Sequence, residues 1–408
     1  MARPRFKLAA LGFCVLAWSP TAAGDAAAPQ DRPVHIAFDG EFSLPNSTSA
    51  QAIERGIRIA LDEINRSGGV LGGRPLRLVT TDNRSIPARG VRNLEKLDAV
   101  ADLVAVFGGR FSPVLIEQKP VARRLGLPLL AVWSSAEPVV DHGAAPSFVY
   151  RLSLHDSLAM PTMLEHAAAR GLSRVGLLLL NTGWGRSNLS AAQAYVSERR
   201  HPSITGVEWF NFGENSLLEE YDRLRRSGAE AVVLVANDVE GAILVREISD
   251  LPAAARLPVI SHWGVTGGDF VARIGTADAF RKVDFSVVQT FSFLSANPEM
   301  VARVMAVAQR LFGISKIEEV EAPVGFAHAY DLTHILARAI DLAGSPDRMA
   351  VRDALENVRD YRGLVRVFPR PFAPGRHEAL VSGDVFMARY RDDGMLIPLN
   401  SSVAATGP

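Results

Sequence analysis

The sequence predicts an α/β fold made of two doubly wound, parallel-sheet lobes. Two observations carry that prediction. Residues 34–83 read as strand, helix, glycine turn and strand, a βαβ unit that implies a parallel sheet covered by helices. After it, short apolar runs alternate with helical stretches in two successive series, separated by a crossing strand near residue 150.

The opening unit is the clearest. Residues 34–38 are an apolar run too short for a helix. In AQAIERGIRIALDEINRSGGVLGGRPLRLVTTDN, residues 50–83, Ile53, Ile57, Ala60, Leu61 and Ile64 recur at helical spacing and make one apolar face. Glu54, Arg58, Asp62 and Glu63 lie on or beside the other face. Gly68, Gly69, Gly72 and Gly73 stop the helix and turn the chain, and Leu76, Leu78 and Val79 begin the next strand. The first series continues with a helix over 87–97, a strand over 103–107 ending in Gly108-Gly109, a helix over 112–124, a strand over 128–132 and the crossing strand over 148–152.

The second series has helices over 160–170, 186–199, 217–226, 239–249 and 270–274. Its strands fall at 174–180, 207–212, 231–235 and 258–261, and a strand over 283–291 leads back to the first lobe. Three helices follow, over 298–312, 325–343 and 347–358. A last crossing is expected at 363–368, and a hairpin over 385–399 turns at Asp393-Gly394.

Composition narrows the function. The chain has 408 residues, 48% of them apolar, enough for two domains with real cores. Lys+Arg and Asp+Glu are 44 each, and a chain without net charge is a poor nucleic-acid binder. Residues 1–24 read as a secretory signal: Arg3, Arg5 and Lys7 form a basic head, residues 8–18 an apolar core, and Thr21-Ala22-Ala23-Gly24 a cleavage region. That core is too short to span a bilayer, and no second run is long enough. Cys14 is the only cysteine, and Phe13 before it is not the small residue that lipid anchoring needs. The mature chain therefore has no disulfide, no cysteine metal site and no cysteine nucleophile.

The run ALDEINRSGGVLGGRPLRLVTTDN, residues 60–83, resembles the first helix and second strand of the type I periplasmic binding proteins. The branched-chain amino acid binding proteins of ABC importers are the nearest subgroup, and similar pieces follow in the same order to about Val385. The resemblance implies a three-crossing hinge. Each lobe is then discontinuous, 34–153 with 294–362 and 154–293 with 363–408. It further implies a ligand in the interlobe cleft, a periplasmic monomer without a cofactor or metal, and delivery to ABC permease and ATPase subunits. A sensor of the same fold, reporting occupancy to a receptor or regulator, is the alternative.

The family holds its ligand with loops at strand ends. The loop Gly108-Gly109-Arg110-Phe111-Ser112 opens a helix, and its backbone N–H groups and the Ser112 hydroxyl are placed to bind a carboxylate; Ser112 also suits an N-cap. In 131–136, Ser135 takes the family's hydroxyl position, with Trp133 and Ser134 before it, although the two serines read equally well as turn residues. In the second lobe, Trp184 stands where an aromatic closes over the ligand, and Asn237 and Asp238 end the 231–235 strand.

One departure is informative. Amino acid binders often hold the ammonium with an acid in the loop Ser261-His262-Trp263-Gly264-Val265, and here Trp263 occupies that position. The acid is then missing, or supplied by Asp238, Glu240 or Asp269. Trp133, Trp184 and Trp263 together suggest an aromatic-lined cleft for a planar carboxylate or a cation held by π faces, with core packing as the other use of such rings. The ligand class is accordingly amino-acid-like, amide or aromatic carboxylate. Other signals are weak. Residues 68–73 are a turn rather than a phosphate cradle, and no histidines have zinc-site spacing. Ser134, His262 and Asp269 as a triad lack a nucleophile-elbow motif, so no enzyme is expected.

Overall fold

The computed structural model describes residues 1–2, 32–44, 47–140, 146–275 and 277–399. Apart from its first two residues, the expected signal over 1–24, with Cys14, lies outside the described residues.

The first lobe is a five-stranded sheet: β1 (Val34–Gly40), β2 (Leu76–Asp82), β3 (Leu103–Gly108), β4 (Leu129–Ala131) and β5 (Val149–Arg151). Its order is β2-β1-β3-β4-β5 and every pairing is parallel. The connecting helices are α1 (Ser49–Arg66), α2 (Pro87–Leu97) and α3 (Ser112–Arg124). The chain then crosses into the second lobe, which opens with α4 (Asp156–Ala169). There follow β6 (Arg174–Leu180), α5 (Gly183–Arg199), β7 (Ser203–Phe210), α6 (Leu218–Arg226), β8 (Ala231–Val235), α7 (Asp238–Ser249), β9 (Val259–Ser261), α8 (Phe270–Ile274), α9 (Ala277–Arg281) and β10 (Phe285–Gln289). Strand β6, VGLLLL after Arg174, is buried on both faces because helices cover both sides of a parallel sheet.

Next come α10 (Pro298–Phe312), α11 (Pro323–Ala343) and α12 (Arg348–Leu355). These return to the first lobe, where α11 packs along α1 and α12 touches β3. Helix α11 is apolar over most of its circumference, as a helix enclosed by neighbours must be. At Gly56 of α1 a Cβ would fall on the Phe326 carbonyl of α11, so the glycine permits the close helix contact.

Residues 363–368, read as the last crossing, belong instead to a separate antiparallel pair, β11 (Tyr361–Arg362) with β12 (Val367–Phe368). Asp331 of α11 pins it by accepting from the Tyr361 hydroxyl (2.8 Å) and from the N–H groups of Leu364 and Val365 (2.7 and 2.8 Å). It is residues 377–379 that run beside β5: Arg151 N–H donates to His377 O at 2.8 Å and Ala379 N–H to Arg151 O at 2.9 Å. The fully buried Arg151 grips Glu378 with two bonds, of 2.8 and 2.6 Å. The chain ends as β13 (Phe386–Tyr390) and β14 (Leu396–Pro398), the expected hairpin. This hairpin adds antiparallel strands to the second sheet, of order β14-β13-β10-β9-β8-β6-β7 and otherwise parallel.

In both sheets the winding direction reverses beside the first strand of its series, β1 or β6. Loops diverge at such a switch point and leave a crevice at the carboxyl ends of the strands.

Candidate functional site

The crevices of the two lobes face each other across a small cavity, and a larger one of about 250 Å³ lies farther along the lobe boundary, between Pro323 and Phe270. In the small cavity the volume open to the centre of a water-sized sphere is about 20 Å³, space for about one ordered water. From the first lobe it is lined by Arg110, Phe111 and Ser112, between β3 and α3, and by Trp133 and Ser135 after β4. From the second lobe come Thr182 and Trp184 at the start of α5, Phe212 after β7, Asn237 after β8, and Trp263 and Gly264 after β9.

Six of the eight residues singled out from sequence therefore meet here: Ser112, Trp133, Ser135, Trp184, Asn237 and Trp263. Two do not line the cavity. Ser134 is fully buried, and its hydroxyl donates to the Gly109 carbonyl at 2.9 Å, tying the β3 and β4 loops together. Asp238 is turned to cations: it accepts from Arg110 Nη1 at 3.0 Å, and Arg273 Nε lies 3.2 Å from its other oxygen. The other acids considered for an ammonium do not line it either. Glu240 faces the Gly213 N–H, and Asp269 borders a different cavity. The imagined triad is not assembled, because His262 pairs with Asp156 instead.

The indoles meet across the lobes. Trp133 and Trp263 have ring centroids 5.7 Å apart, and His328 of α11 backs Trp263 at 5.8 Å. Burial pushes His328 from its ordinary 6.5 down to about 4, so its ring is neutral near pH 7. Its Nδ1 faces the Val132 carbonyl at 3.0 Å and its Nε2 the Thr290 hydroxyl at 3.1 Å, one donor and one acceptor. At the outer edge, Phe111 and the half-exposed Phe212 face each other at 6.3 Å.

The cation at the cavity wall, Arg110, is partly compensated, since Asp238 lies against its Nη1 at 3.0 Å. Arg110 is the one charged side chain among the described lining residues, and it is 7% exposed. Its guanidinium lies 4.7 Å from the Phe111 ring and runs over Gly267, where a Cβ would collide with it. Among the described residues, neither Arg110 Nε nor Trp133 Nε1 has an acceptor. The backbone of the same loop is already partly engaged. The Arg110 N–H points at the buried Glu41 carboxylate (3.4 Å), which also takes the Ser49 hydroxyl.

The sequence reading missed Arg110, Phe111, Thr182 and Phe212. Arg110 and Phe111 lie inside the quoted Gly-Gly-Arg-Phe-Ser loop, and a long cation between a glycine pair and a helix start was the available signal. Phe212 has no such signal, since nothing local says that the loop after β7 folds over the cleft.

A family model described as periplasmic binding protein matches residues 33–395 of this sequence. The chain belongs to the periplasmic binding protein family. A curated relative, the Leu/Ile/Val-binding protein BraC3 of Rhizobium johnstonii, is 23% identical over 350 residues, covering 85% of this chain and 87% of its own. Among solved structures, the type 1 periplasmic binding protein of Bordetella pertussis Tohama I superposes with a TM-score of 0.80 at 19% identity, over 90% of this chain and 100% of that one. An ABC transporter solute-binding protein of R. palustris, in complex with 4-hydroxybenzoate, gives 0.72 at 16% identity, over 90% and 95%. The two structures share the fold of this periplasmic binding protein. The family is one of solute binders. No helix among the described residues is long and apolar enough to cross a membrane.

Proposed function

We propose that this chain is the solute-binding component of an ABC importer, exported to the periplasm, and that its ligand is a small aromatic carboxylate held between the lobes. The observation that carries the ligand class is Arg110, buried at the cavity, whose Nε–H and the Trp133 Nε1–H on the same cavity wall both lack acceptors among the described residues. A guanidinium with a free Nε–H and one indole N–H, with no acid among the described lining residues, favour an anion. Three indoles favour a flat ring. An α-amino acid would bring an ammonium into a site where the nearest cleft acid, Asp238, is already paired with arginine.

The named ligands of the relatives, branched-chain amino acids for one and 4-hydroxybenzoate for another, span the choice, and the lining here favours the second. A cavity of about 20 Å³ does not admit a ring, so binding requires the lobes to part. They would hinge at 152–155 and 290–297 and where 377–379 rejoins β5, then close with both lobes touching the ligand. The closed complex would be what the permease recognises, with ATP hydrolysis supplied by the partner subunit.

A thermal-shift titration of the mature chain, from about residue 25, tests this with benzoate, 4-hydroxybenzoate, L-leucine and benzyltrimethylammonium. A ligand that binds only the folded state raises the melting temperature by mass action. The two aromatic acids are expected to stabilise the protein and the other two to leave it unchanged. Stabilisation by leucine or by the quaternary amine, with no response to benzoate, would overturn the ligand assignment.

A further inference from the structure

We propose that Asp156 is a positioning residue for the ligand cavity, holding the Trp184 and His262 rings of the second lobe in register with the Ser135 loop of the first. The inference rests on the cavity being the ligand site.

Asp156 is the first residue of α4, immediately after the chain crosses between lobes. It is fully buried and does not itself line the cavity. Its contacts reach the walls from both sides. The backbone N–H donates to the carbonyl of Ser135 at 3.0 Å, in the first lobe's wall. The carboxylate oxygen Oδ1 accepts from Trp184 Nε1 at 3.3 Å and faces His262 Nε2 at 3.2 Å, both in the second lobe. The His262 ring stands edge-on to Trp184, with centroids 4.9 Å apart and planes at 87°, and His262 directly precedes Trp263. One oxygen at the crossing therefore sets the tilt of one indole, and through His262 it fixes the strand end that carries another.

Stability alone is a poor account of this residue. Asp156 Oδ2 and His262 Nδ1 are both buried without a partner among the described residues. A buried carboxylate with an unsatisfied oxygen is costly, and an apolar residue would fill the space at less cost. The start of α4 offsets part of that cost through the helix dipole, but the side chain caps no N–H. What Asp156 supplies and an apolar residue would not is an acceptor shared by two rings, and departures of this kind from local rules concentrate at functional positions.

The test uses the full mature chain with Asp156→Asn and Asp156→Leu, each alone and combined with Trp184→Phe. The Trp184 indole N–H proton resonance is assigned by its loss in Trp184→Phe and read without added ligand. Asp156→Asn keeps a carbonyl acceptor and is expected to leave that resonance near its wild-type position. Asp156→Leu is expected to move it upfield and to speed its exchange with water. Benzoate affinity is expected to fall about tenfold in Asp156→Leu, to recover in Asp156→Asn, and to show no further loss when Asp156→Leu is added to Trp184→Phe. An unmoved resonance in Asp156→Leu, or an equal loss of affinity in the Trp184→Phe background, overturns the proposal. If the leucine variant does not fold, Asp156→Ala takes its place with the same readouts. A wild-type chain that ignores benzoate would refute the ligand class, while the resonance would still decide the role of Asp156.

Discussion

On the proposed function, Arg110 sets the charge that the cavity accepts. Its guanidinium is planar and permanently charged, and it is held by Asp238 on one side and the Phe111 ring on the other. Arg110→Ala is expected to weaken benzoate binding by about 10- to 100-fold, the equivalent of losing a charge-assisted hydrogen bond of about 1.5–3 kcal/mol. Calorimetric titration checks it, and retained affinity would remove Arg110 from the site. His328 contributes to a different property, the dependence of stability on acid. Its ring is neutral in the native state, with its pKa lowered by burial from 6.5 to about 4. Above pH 6.5 neither the folded nor the unfolded chain protonates it, and its full contribution is present. As pH falls from 6.5 toward 4, the unfolded chain binds a proton that the folded chain refuses, so stability is lost over that window. The loss is on the order of 3 kcal/mol. Burial raises the Asp331 carboxyl to about 7, which adds stability as pH falls over the same window, so the His328 share is read as a difference: from pH 7 to pH 4 the wild-type urea midpoint should fall relative to that of His328→Gln.

At the scale of elements, α11 brings the two functions of the first lobe together. Its face toward α1 is close-packed at Gly56, where a methyl group would meet the backbone of Phe326. Gly56→Ala is expected to destabilise the protein by about 1–3 kcal/mol through overpacking, read as a lower melting temperature. Near its N-terminus, Gly325 lies against the ring of Trp133, and a Cβ there would overlap it. Gly325→Ala should therefore push a cavity wall as well as the core. Its expected signature is a loss of benzoate affinity larger than that of Gly56→Ala at equal loss of stability. Equal affinity in the two variants would place Trp133 outside the ligand contacts.

For the molecule as a whole, the Arg110–Asp238 pair is a bond between lobes, buried on both partners at 5% and 4% side-chain exposure. Removing one partner of a buried pair leaves the other charge uncompensated, a penalty the molecule can relieve only by exposing it to water. Asp238→Ala is expected to shift the population toward open lobes. Small-angle scattering without ligand should then give a larger radius of gyration than wild type, and benzoate should dissociate faster. An unchanged radius would show that closure does not depend on the pair.

The architecture was legible because it rests on local periodicity. Ile53, Ile57 and Ile64 declare a helix, the VGLLLL run declares a strand covered on both sides, and their alternation declares parallel sheets. The strand-end loops, and with them Trp133, Trp184 and Trp263, were found through the resemblance to the family rather than through periodicity. Tertiary structure alone decided which side chains in those loops face one another. Ser134 turned to the Gly109 carbonyl, Asp238 turned to two arginines, and Arg110 crossed from one lobe to the other over a glycine. The strand-like 361–368 segment stayed on α11, while His377 to Ala379, with no strand signature, paired beside β5. Periodicity states which face of an element is apolar. It is silent on a partner more than a hundred residues away, and the charge of this cavity is set by such a partner.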